Sequence, residues 1–305
     1  MFQFRARQLE YEINGVKIGG PPWKNPTVLI GTIFYEGHKV VKDWKEGLID
    51  VLRAEAILKN LEELTDKYGI PGILDVFAGT PQAMKNYIDF LIDHVDFPFL
   101  IDSADPQTLI EGSRYVKELG IAHRAIYNSV NYKTTEAEMN ECRKLELPNV
   151  IVAATNPYNP TVNGRLEILK GSNGEGGLLE KARGMGFKNI LIDVSMLDAP
   201  DVGPASKAIF LIKDELGIPA GVGSVNYFEL WSRGKNVPQK ISEICRAGGI
   251  LFPVPLGADF IMYGPVEWAE DIYALCNIYN SFMGYTLRLE GIQLPGNHPL
   301  TRFKT

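Results

Sequence analysis

The chain has 305 residues, of which 45% are apolar, and a formal net charge of −6 at pH 7. This length fits a single α/β barrel of about 250 residues with short additions as well as it fits two smaller domains. Phosphate binding requires clustered Lys and Arg, and the sequence has no basic block, which argues against nucleic acid as a partner. We take one domain, 1–305, as the simpler interpretation.

Membrane association and export are also not indicated. No apolar run approaches the about 20 residues that a membrane-spanning helix requires, and the first five residues do not open a signal peptide. We therefore expect a cytoplasmic protein with no membrane partner. Cys142, Cys245 and Cys276 lie far apart, in segments with a helical pattern and without a Cys-x-x-Cys pair. We expect them to be reduced packing residues.

The first predicted element is a hairpin within residues 1–22. Residues 9–18 alternate apolar and polar side chains around Asn14-Gly15, two residues that tolerate the positive φ of a two-residue turn. We expect this hairpin to cap the floor of the domain.

Eight apolar segments with the length of strands follow the hairpin, at residues 28–34, 72–77, 97–101, 124–127, 150–155, 189–192, 219–222 and 259–263. The intervening segments mostly carry amphipathic helical patterns, such as 53–68 and 81–94. Alternating strands and helices imply parallel pairing with right-handed crossovers, and eight such units close a barrel. The predicted fold is an α/β protein, a (β/α)8 TIM barrel, followed by a long helix over 266–289 and a loose tail over 290–305.

Polar residues lie where several of these apolar segments end. Because the carboxyl ends of barrel strands face one shared mouth, side chains far apart in the sequence converge there. Asp is also common as a helix cap or turn residue. As a set, however, these residues suit a pterin, because a carboxylate grips adjacent N–H donors and an Asn amide serves donor and acceptor edges together. The candidates are Asp75, Asp102, Asn128, Asp193, Ser224 and Asn226.

Other chemistries have weaker support. The four histidines are too dispersed for metal-ligand spacing, and we expect no bound metal; they are His38, His94, His123 and His298. No Gly-x-Ser-x-Gly elbow is present. The Gly-rich run 171–177 would suit an anion at a helix N-terminus, but it fits neither the Walker pattern nor the dinucleotide fingerprint. We expect it to be a mobile loop from a strand to a helix.

Four stretches carry a resemblance to a known family: TIFYEGH at 32–38, FLIDS at 99–103, RAIYNSVN at 124–131 and DFIMYGP at 259–265. Over nearly its whole length the chain resembles the MtrH component of the archaeal tetrahydromethanopterin S-methyltransferase. Within that family it is most similar to the stand-alone methylcobalamin:tetrahydrofolate methyltransferases of bacterial glycine betaine demethylation. The resemblance implies a pterin-binding methyltransferase barrel, usually paired as a homodimer.

The resemblance also implies roles for individual residues. Asp193 is assigned the bidentate grip on the pterin N3–H and 2-amino group, Asn128 the ring edge beside it, and Asp102 a contact to the ring or to a water against it. Either Ser224 or Asn226 would face N5, and we favour Asn226.

The reaction implied by the resemblance moves a methyl group from a methylcorrinoid to N5 of tetrahydrofolate. Such an in-line displacement requires positioning rather than a protein nucleophile. The reverse transfer needs a proton at N5, which we expect Asp75, or a water that it holds, to supply. The alternative is a tetrahydromethanopterin-specific component, of the MtrH type, in a larger complex.

The corrinoid is expected to come from outside the chain. The Asp-x-His-x-x-Gly motif that ligates cobalt in corrinoid proteins does not occur, so methylcobalamin would arrive free or on a corrinoid protein that docks at the mouth. Four aromatic residues are candidates for an apolar rim against the corrin, with core or loop packing as the alternative. They are Tyr35, Phe77, Tyr158 and Tyr227.

Overall fold

A computed structural model describes residues 3–172 and 175–302 of the chain. Within this part, eight parallel strands form a closed barrel in which each strand pairs with the next along the chain and the last pairs with the first. This confirms the predicted TIM barrel. Numbered 1 to 8, the barrel strands are Val28–Ile33, Gly72–Phe77, Phe99–Asp102, Ala125–Val130, Asn149–Ala153, Asn189–Asp193, Ala220–Gly223 and Phe260–Pro265.

Helices surround the barrel and connect its strands. Several begin at a side chain that accepts a hydrogen bond from a free N–H of the first turn, as Asp50, Thr80 and Asp105 do. The α-helices are Val51–Tyr68, Pro81–His94, Pro106–Glu118, Glu136–Leu145, Val162–Lys170, Leu178–Gly184, Val202–Leu216, Val225–Ser232, Gln239–Leu251, Ala269–Leu289 and Pro299–Arg302.

The barrel interior is built in layers because successive strand residues point to opposite faces. One buried apolar layer fills the middle of the barrel and consists of Ile30, Ile73, Leu100, Ile126, Ile151, Leu191 and Phe260. The next inward position lies two residues further along each strand, nearer the mouth. Across the strands it is occupied by Thr32, Asp75, Asp102, Asn128, Ala153, Asp193 and Met262. We call these seven residues the mouth layer.

The N-terminal hairpin closes the opposite end of the barrel. Its strands, Glu10–Ile13 and Val16–Gly19, pair antiparallel across a turn in which Asn14 and Gly15 have φ of 44° and 81°. Ile13 and Ile18 are buried and belong to the same cluster as the apolar interior layer. The hairpin therefore packs against the amino end of the barrel, and the mouth layer lies at the opposite, carboxyl end.

Two local expectations differ from the structure. In the Gly-rich run, Gly171–Ser172 pairs antiparallel with Glu175–Gly176, and the segment joins two helices rather than a strand and a helix. The expectation of mobility there falls partly on Asn173 and Gly174, which lie outside the described residues.

The C-terminal segment is packed rather than loose up to Arg302. His298 is buried, and its Nε2 lies 3.0 Å from the carbonyl oxygen of Trp23. Leu294 packs against Trp23 and two residues of the last long helix. The last long helix begins at Ala269 rather than at residue 266. Pro265 ends the eighth strand, and Val266–Trp268 form a 3-10 turn before the α-helix starts.

The three cysteines agree with a further expectation. Cys142, Cys245 and Cys276 are free thiols on helices, and Cys142 and Cys276 are buried. In residues 3–172 and 175–302, no helix has both the length and the apolar content needed to cross a bilayer.

Candidate active site

The mouth layer brings together polar residues from neighbouring strands. Thr32 lies opposite Asp75 in the register of strands 1 and 2, and Asp102 lies opposite Asn128 in that of strands 3 and 4. Asp193 ends strand 6, on the other side of the mouth. The barrel therefore gathers the four acid and amide residues of the layer at one end, as the sequence predicted.

Asp75 is a buried acid of the mouth layer. Its side chain is 5% exposed, and the Thr32 hydroxyl donates to its Oδ2 at 2.7 Å. Asp102 and Asn128 lie next to the same carboxyl group, whose Oδ1 is buried and accepts no hydrogen bond within the described residues. Because two neighbouring carboxylates repel each other when both are ionised, this arrangement favours a state in which one of them is protonated.

Burial favours that protonated form. It raises the pKa of Asp75 to about 6, although the Thr32 hydroxyl and the neighbouring Asp102 and Asn128 side chains oppose the rise. Burial, and next the negative charge of Asp75, raise the pKa of Asp102 well above its usual value. The pair Asp75 and Asp102 therefore keeps a proton to a higher pH than an exposed Asp does.

Asp193 is held differently, by backbone N–H groups. Its Oδ1 accepts hydrogen bonds from the N–H of Ser195 at 2.8 Å and from that of Gly223 at 3.0 Å. Burial raises the pKa of Asp193, while these two donors and the charge of Arg165 oppose the rise. Of the residues that the structure describes, none donates to Oδ2, which leaves that oxygen available to a ligand.

The two candidates for the N5 contact have different surroundings. The N–H and hydroxyl of Ser224 both donate to the carbonyl oxygen of Met262, at 3.0 and 3.4 Å, and the residue is fully buried. Asn226 is exposed, and its Nδ2 donates to the carbonyl oxygen of Met196 at 3.3 Å. With its amide nitrogen so bonded, Asn226 has Oδ1 available as an acceptor.

The proposed aromatic rim is only partly present. Tyr227 packs against Gly249, and its hydroxyl donates to the carbonyl oxygen of Cys245 at 3.2 Å, so its role is to join two helices. Phe77 stacks on Trp44 with ring centroids 6.5 Å apart. These two therefore follow the packing alternative. Tyr158 is 96% exposed.

Tyr35, the fourth aromatic, belongs to a group that the sequence interpretation missed. Its ring stacks on His38 at 4.6 Å, and its hydroxyl donates to Glu267 at 3.3 Å. His38 is buried, accepts from the N–H of Phe34 through Nδ1, and has Nε2 2.9 Å from Glu267. This group ties the loops after strands 1 and 8 together. In the sequence, this group was indicated by Tyr35 and His38 within the 32–38 stretch.

Two further residues at the site were also missed. Thr32 was predictable because it stands two positions after Ile30, on the inward face of strand 1. Gly223 has no side chain, whereas a Cβ at this position would lie 3.6 Å from Asp193 Oδ2. Asn156 follows strand 5 but lies outside the mouth layer. Its Oδ1 accepts hydrogen bonds from two backbone N–H groups and so forms a turn.

The family model for the tetrahydromethanopterin S-methyltransferase MtrH subunit matches residues 6–294 of this barrel. The chain belongs to the MtrH family. This confirms the resemblance carried by the four sequence stretches, and it identifies the chain as a methyltransferase of that family.

Relatives within the MtrH family match the chain over its full length. It is 37% identical to the H subunit of tetrahydromethanopterin S-methyltransferase from Methanothermobacter thermautotrophicus, with 98% of both chains covered. It is 34% identical to the same component from Methanosarcina acetivorans, with 99% of both covered. The H subunit of the putative methyltransferase mtx of Methanosarcina barkeri is also 34% identical, over 98% of this chain and 99% of the relative.

Solved structures similar to this MtrH-family chain are dihydropteroate synthases. The enzyme from Xanthomonas albilineans in complex with 7,8-dihydropteroate matches 90% of this chain and 99% of its own, with a TM-score of 0.55 at 16% identity. The Yersinia pestis enzyme with a pterine-sulfa conjugate gives a TM-score of 0.56 at 14% identity, with the same coverage. At such identities the likeness establishes the barrel fold alone.

Proposed function

We propose that this protein transfers a methyl group between N5 of a tetrahydropterin and the cobalt of a corrinoid. The observation that carries the proposal is the mouth layer, in which Asp75, Asp102, Asn128 and Asp193 face one opening of a barrel closed at its other end. Membership of the MtrH family supports the same class of reaction.

Asp193 suits the edge of a pterin that carries N3–H and the 2-amino group. Two backbone donors fix its Oδ1 and hence the plane of the carboxylate. Each carboxylate oxygen has two lone pairs, so Oδ1 can accept once more while Oδ2 accepts the second donor. Gly223 leaves space in front of this carboxylate.

Transfer to the pterin needs an unprotonated N5 lone pair in line with the methyl carbon. The lone pair forms the N–C bond, the Co–C bond breaks with its electron pair remaining on cobalt, and N5 then loses its N–H proton. In our proposal the Oδ1 of Asn226 accepts a hydrogen bond from this N–H and so directs the lone pair. No protein nucleophile is required.

Transfer in the reverse direction needs a proton at N5, because a neutral tertiary amine is a poor leaving group. The carboxyl pair of Asp75 and Asp102 is the proposed source, directly or through a water. It keeps a proton to a higher pH than an exposed Asp does, because burial raises the pKa of both acids, and it lies in the same layer as Asp193. General acid catalysis of this kind typically contributes about 10²- to 10⁴-fold in rate.

The pterin and the partner follow from the relatives. Their names specify tetrahydromethanopterin, and they favour that substrate over the tetrahydrofolate expected from the sequence. The same names describe a subunit, which supports a component of a larger enzyme that receives its corrinoid on another protein. The homodimer implied by the resemblance stays a prediction.

The proposal is tested with the purified chain, free methylcobalamin and each pterin in turn, followed by the absorbance change of cobalt. Pterin binding is measured separately by calorimetry, with Asp214→Asn as a control because Asp214 pairs with Arg5, away from the mouth. Binding of either pterin supports the proposal, and binding of neither overturns it. Turnover with tetrahydrofolate alone would reverse the choice of pterin. Binding without turnover would assign the methyl donor to a corrinoid protein.

A further inference from the structure

Arg165 is a buried cation next to the pterin site. It lies on helix Val162–Lys170 and is 2% exposed. Its Nε donates to the carbonyl oxygen of Val194 at 2.8 Å, and its Nη2 donates to that of Ser195 at 2.9 Å. Nη2 is also paired with the carboxylate of Asp201. The guanidinium therefore binds the two residues that directly follow Asp193.

Those two residues form an unusual turn. Ser195 has a φ of 55°, a left-handed conformation that costs a residue with a Cβ about 1 kcal/mol or more. In this conformation its N–H donates to Oδ1 of Asp193. Thr155 also contributes, since its hydroxyl donates to the Ser195 hydroxyl at 2.7 Å. The geometry of the Asp193 carboxylate thus depends on a strained residue that Arg165 holds by its carbonyl group.

The same turn reaches the second predicted contact. Met196 accepts the hydrogen bond from Asn226, and the N–H of Leu197 donates to Asp201 at 3.0 Å. Arg165 and Asp201 therefore hold the two ends of residues 194–197. This segment connects Asp193, at one end, to Asn226, at the other.

We propose that Arg165 is a positioning residue, which fixes the turn over residues 194–197 and so aims the Asp193 carboxylate and the Asn226 amide at the pterin. This inference rests on the proposed function, since it specifies what orients that same site. Arg165 touches neither the pterin nor the reacting atoms in this scheme.

The charge of Arg165 has a second effect on the same carboxylate. It favours the ionised form of Asp193 and opposes the rise in pKa that burial causes, together with the N–H groups of Gly223 and Ser195. Asp201, on the turn before helix Val202–Leu216, is the acid that pairs with the guanidinium. Without Arg165, protonation of Asp193 would begin at higher pH.

The first test replaces Arg165 by Met, which keeps much of the volume but donates no hydrogen bond. We expect the Kd for the pterin to rise about 10- to 100-fold, which is about 1.4 to 2.8 kcal/mol, and kcat at saturating pterin to fall as well, because the Asn226 amide that directs N5 is also less well aimed. Arg143→Met is the matched control, because Arg143 also donates to a carbonyl oxygen, that of Gly184, but on an outer helix. Its Kd is expected to stay within about twofold.

Two further variants keep the test decisive. Arg165→Lys retains the charge but loses the planar fork, and we expect an intermediate Kd; it also serves if Arg165→Met does not fold. Adding Ser195→Gly to either variant should recover part of the lost affinity, because glycine adopts a φ of 55° without strain. A folded Arg165 variant with the Kd of the parent protein would overturn the inference.

A readout that needs no pterin separates this inference from the proposed function. Hydrogen exchange at the Ser195 amide should accelerate at least tenfold in the Arg165 variants, because the N–H is released from Asp193. Unchanged exchange would contradict the positioning role. If the parent protein binds no pterin but its Ser195 amide is released by Arg165→Met, the proposed function fails and the structural role of Arg165 stands.

Discussion

Asp75, which is buried, and Asp102, which is half-buried, are neighbouring acids on adjacent barrel strands. Two carboxylates cannot share such a site when both are ionised, so the pair keeps a proton to a pH well above that of an exposed Asp. In the proposed reaction, that proton would serve the amine that leaves the methyl group.

Replacing Asp75 by Asn tests the proton source. We expect transfer from the methyl-pterin to Co(I) to slow about 100-fold or more, because the acid is lost, while transfer to the pterin changes about tenfold or less. The measurement is the rate of the cobalt spectral change in each direction at saturating pterin. Asp89→Asn is the control, since Asp89 accepts a hydrogen bond from Tyr115 on the outer helices. Equal rates in both directions for the parent and Asp75→Asn would reject this role.

Asp102→Asn should change how stability depends on pH. An unfolded Asp has a pKa near 4, whereas burial raises that of Asp75 to about 6 in the fold and raises that of Asp102 well above its usual value. The folded protein therefore binds more protons, and this pair lowers stability as the pH rises from about 4 through 6 and beyond. The variant removes one acid and should gain about 1 to 3 kcal/mol relative to the parent at about pH 8, and least near pH 4.

Urea unfolding at both pH values measures this difference. A stability difference independent of pH would show that the pair does not share a proton in the fold.

Asp193→Asn tests the pterin clamp. The side chain keeps its size, but one oxygen becomes an N–H donor that faces the donors of the pterin edge. We expect the Kd to rise about 100-fold, or about 3 kcal/mol. Binding by the parent should itself weaken as the pH falls through the raised pKa of Asp193. Calorimetry across pH checks both results, and a variant that binds as tightly as the parent would exclude Asp193 as the clamp.

Gly223→Ala tests the space in front of Asp193. The new methyl group would lie 3.2 Å from Cε of Met262, a flexible side-chain end, and 3.6 Å from Asp193 Oδ2. We expect the fold to lose less than about 1 kcal/mol but the pterin Kd to rise about tenfold or more. Gly203→Ala is the control, because a Cβ at that helical position meets nothing within 4 Å. Similar effects at both positions would argue that the pterin lies elsewhere.

The barrel was predictable because its signal is repeated. Eight apolar runs separated by helical patterns leave few alternative topologies, and the structure has a strand at each run. The mouth layer was also accessible, since Asp75, Asp102, Asn128 and Asp193 each stand two residues after an inward apolar residue. Periodicity along a strand is local, and sequence displays it directly.

The remaining parts of the site depend on contacts between distant segments. Nothing near Arg165 in the sequence indicates that it binds residues 194 and 195, or that Asp201 completes the pair. Tyr227 follows the seventh strand, where the sequence predicts a residue of the aromatic rim. Its ring packs against Gly249 instead, a contact that the sequence does not reveal. Ser224 and Asn226 differ because helix Val225–Ser232 begins between them, which leaves Ser224 buried and Asn226 exposed.

The N-terminal hairpin has a kinetic consequence for the proposed reaction. With Ile13 and Ile18 packed at the amino end, the described part of the barrel opens at its carboxyl end, and a corrinoid protein seated there would cover a pterin beneath it. Substrates should therefore bind in compulsory order, pterin first, and the products should leave in the reverse order. Product-inhibition patterns distinguish this from random addition. Hairpin variants that open the amino end of the barrel are expected to lose the compulsory binding order before they lose methyl-transfer activity.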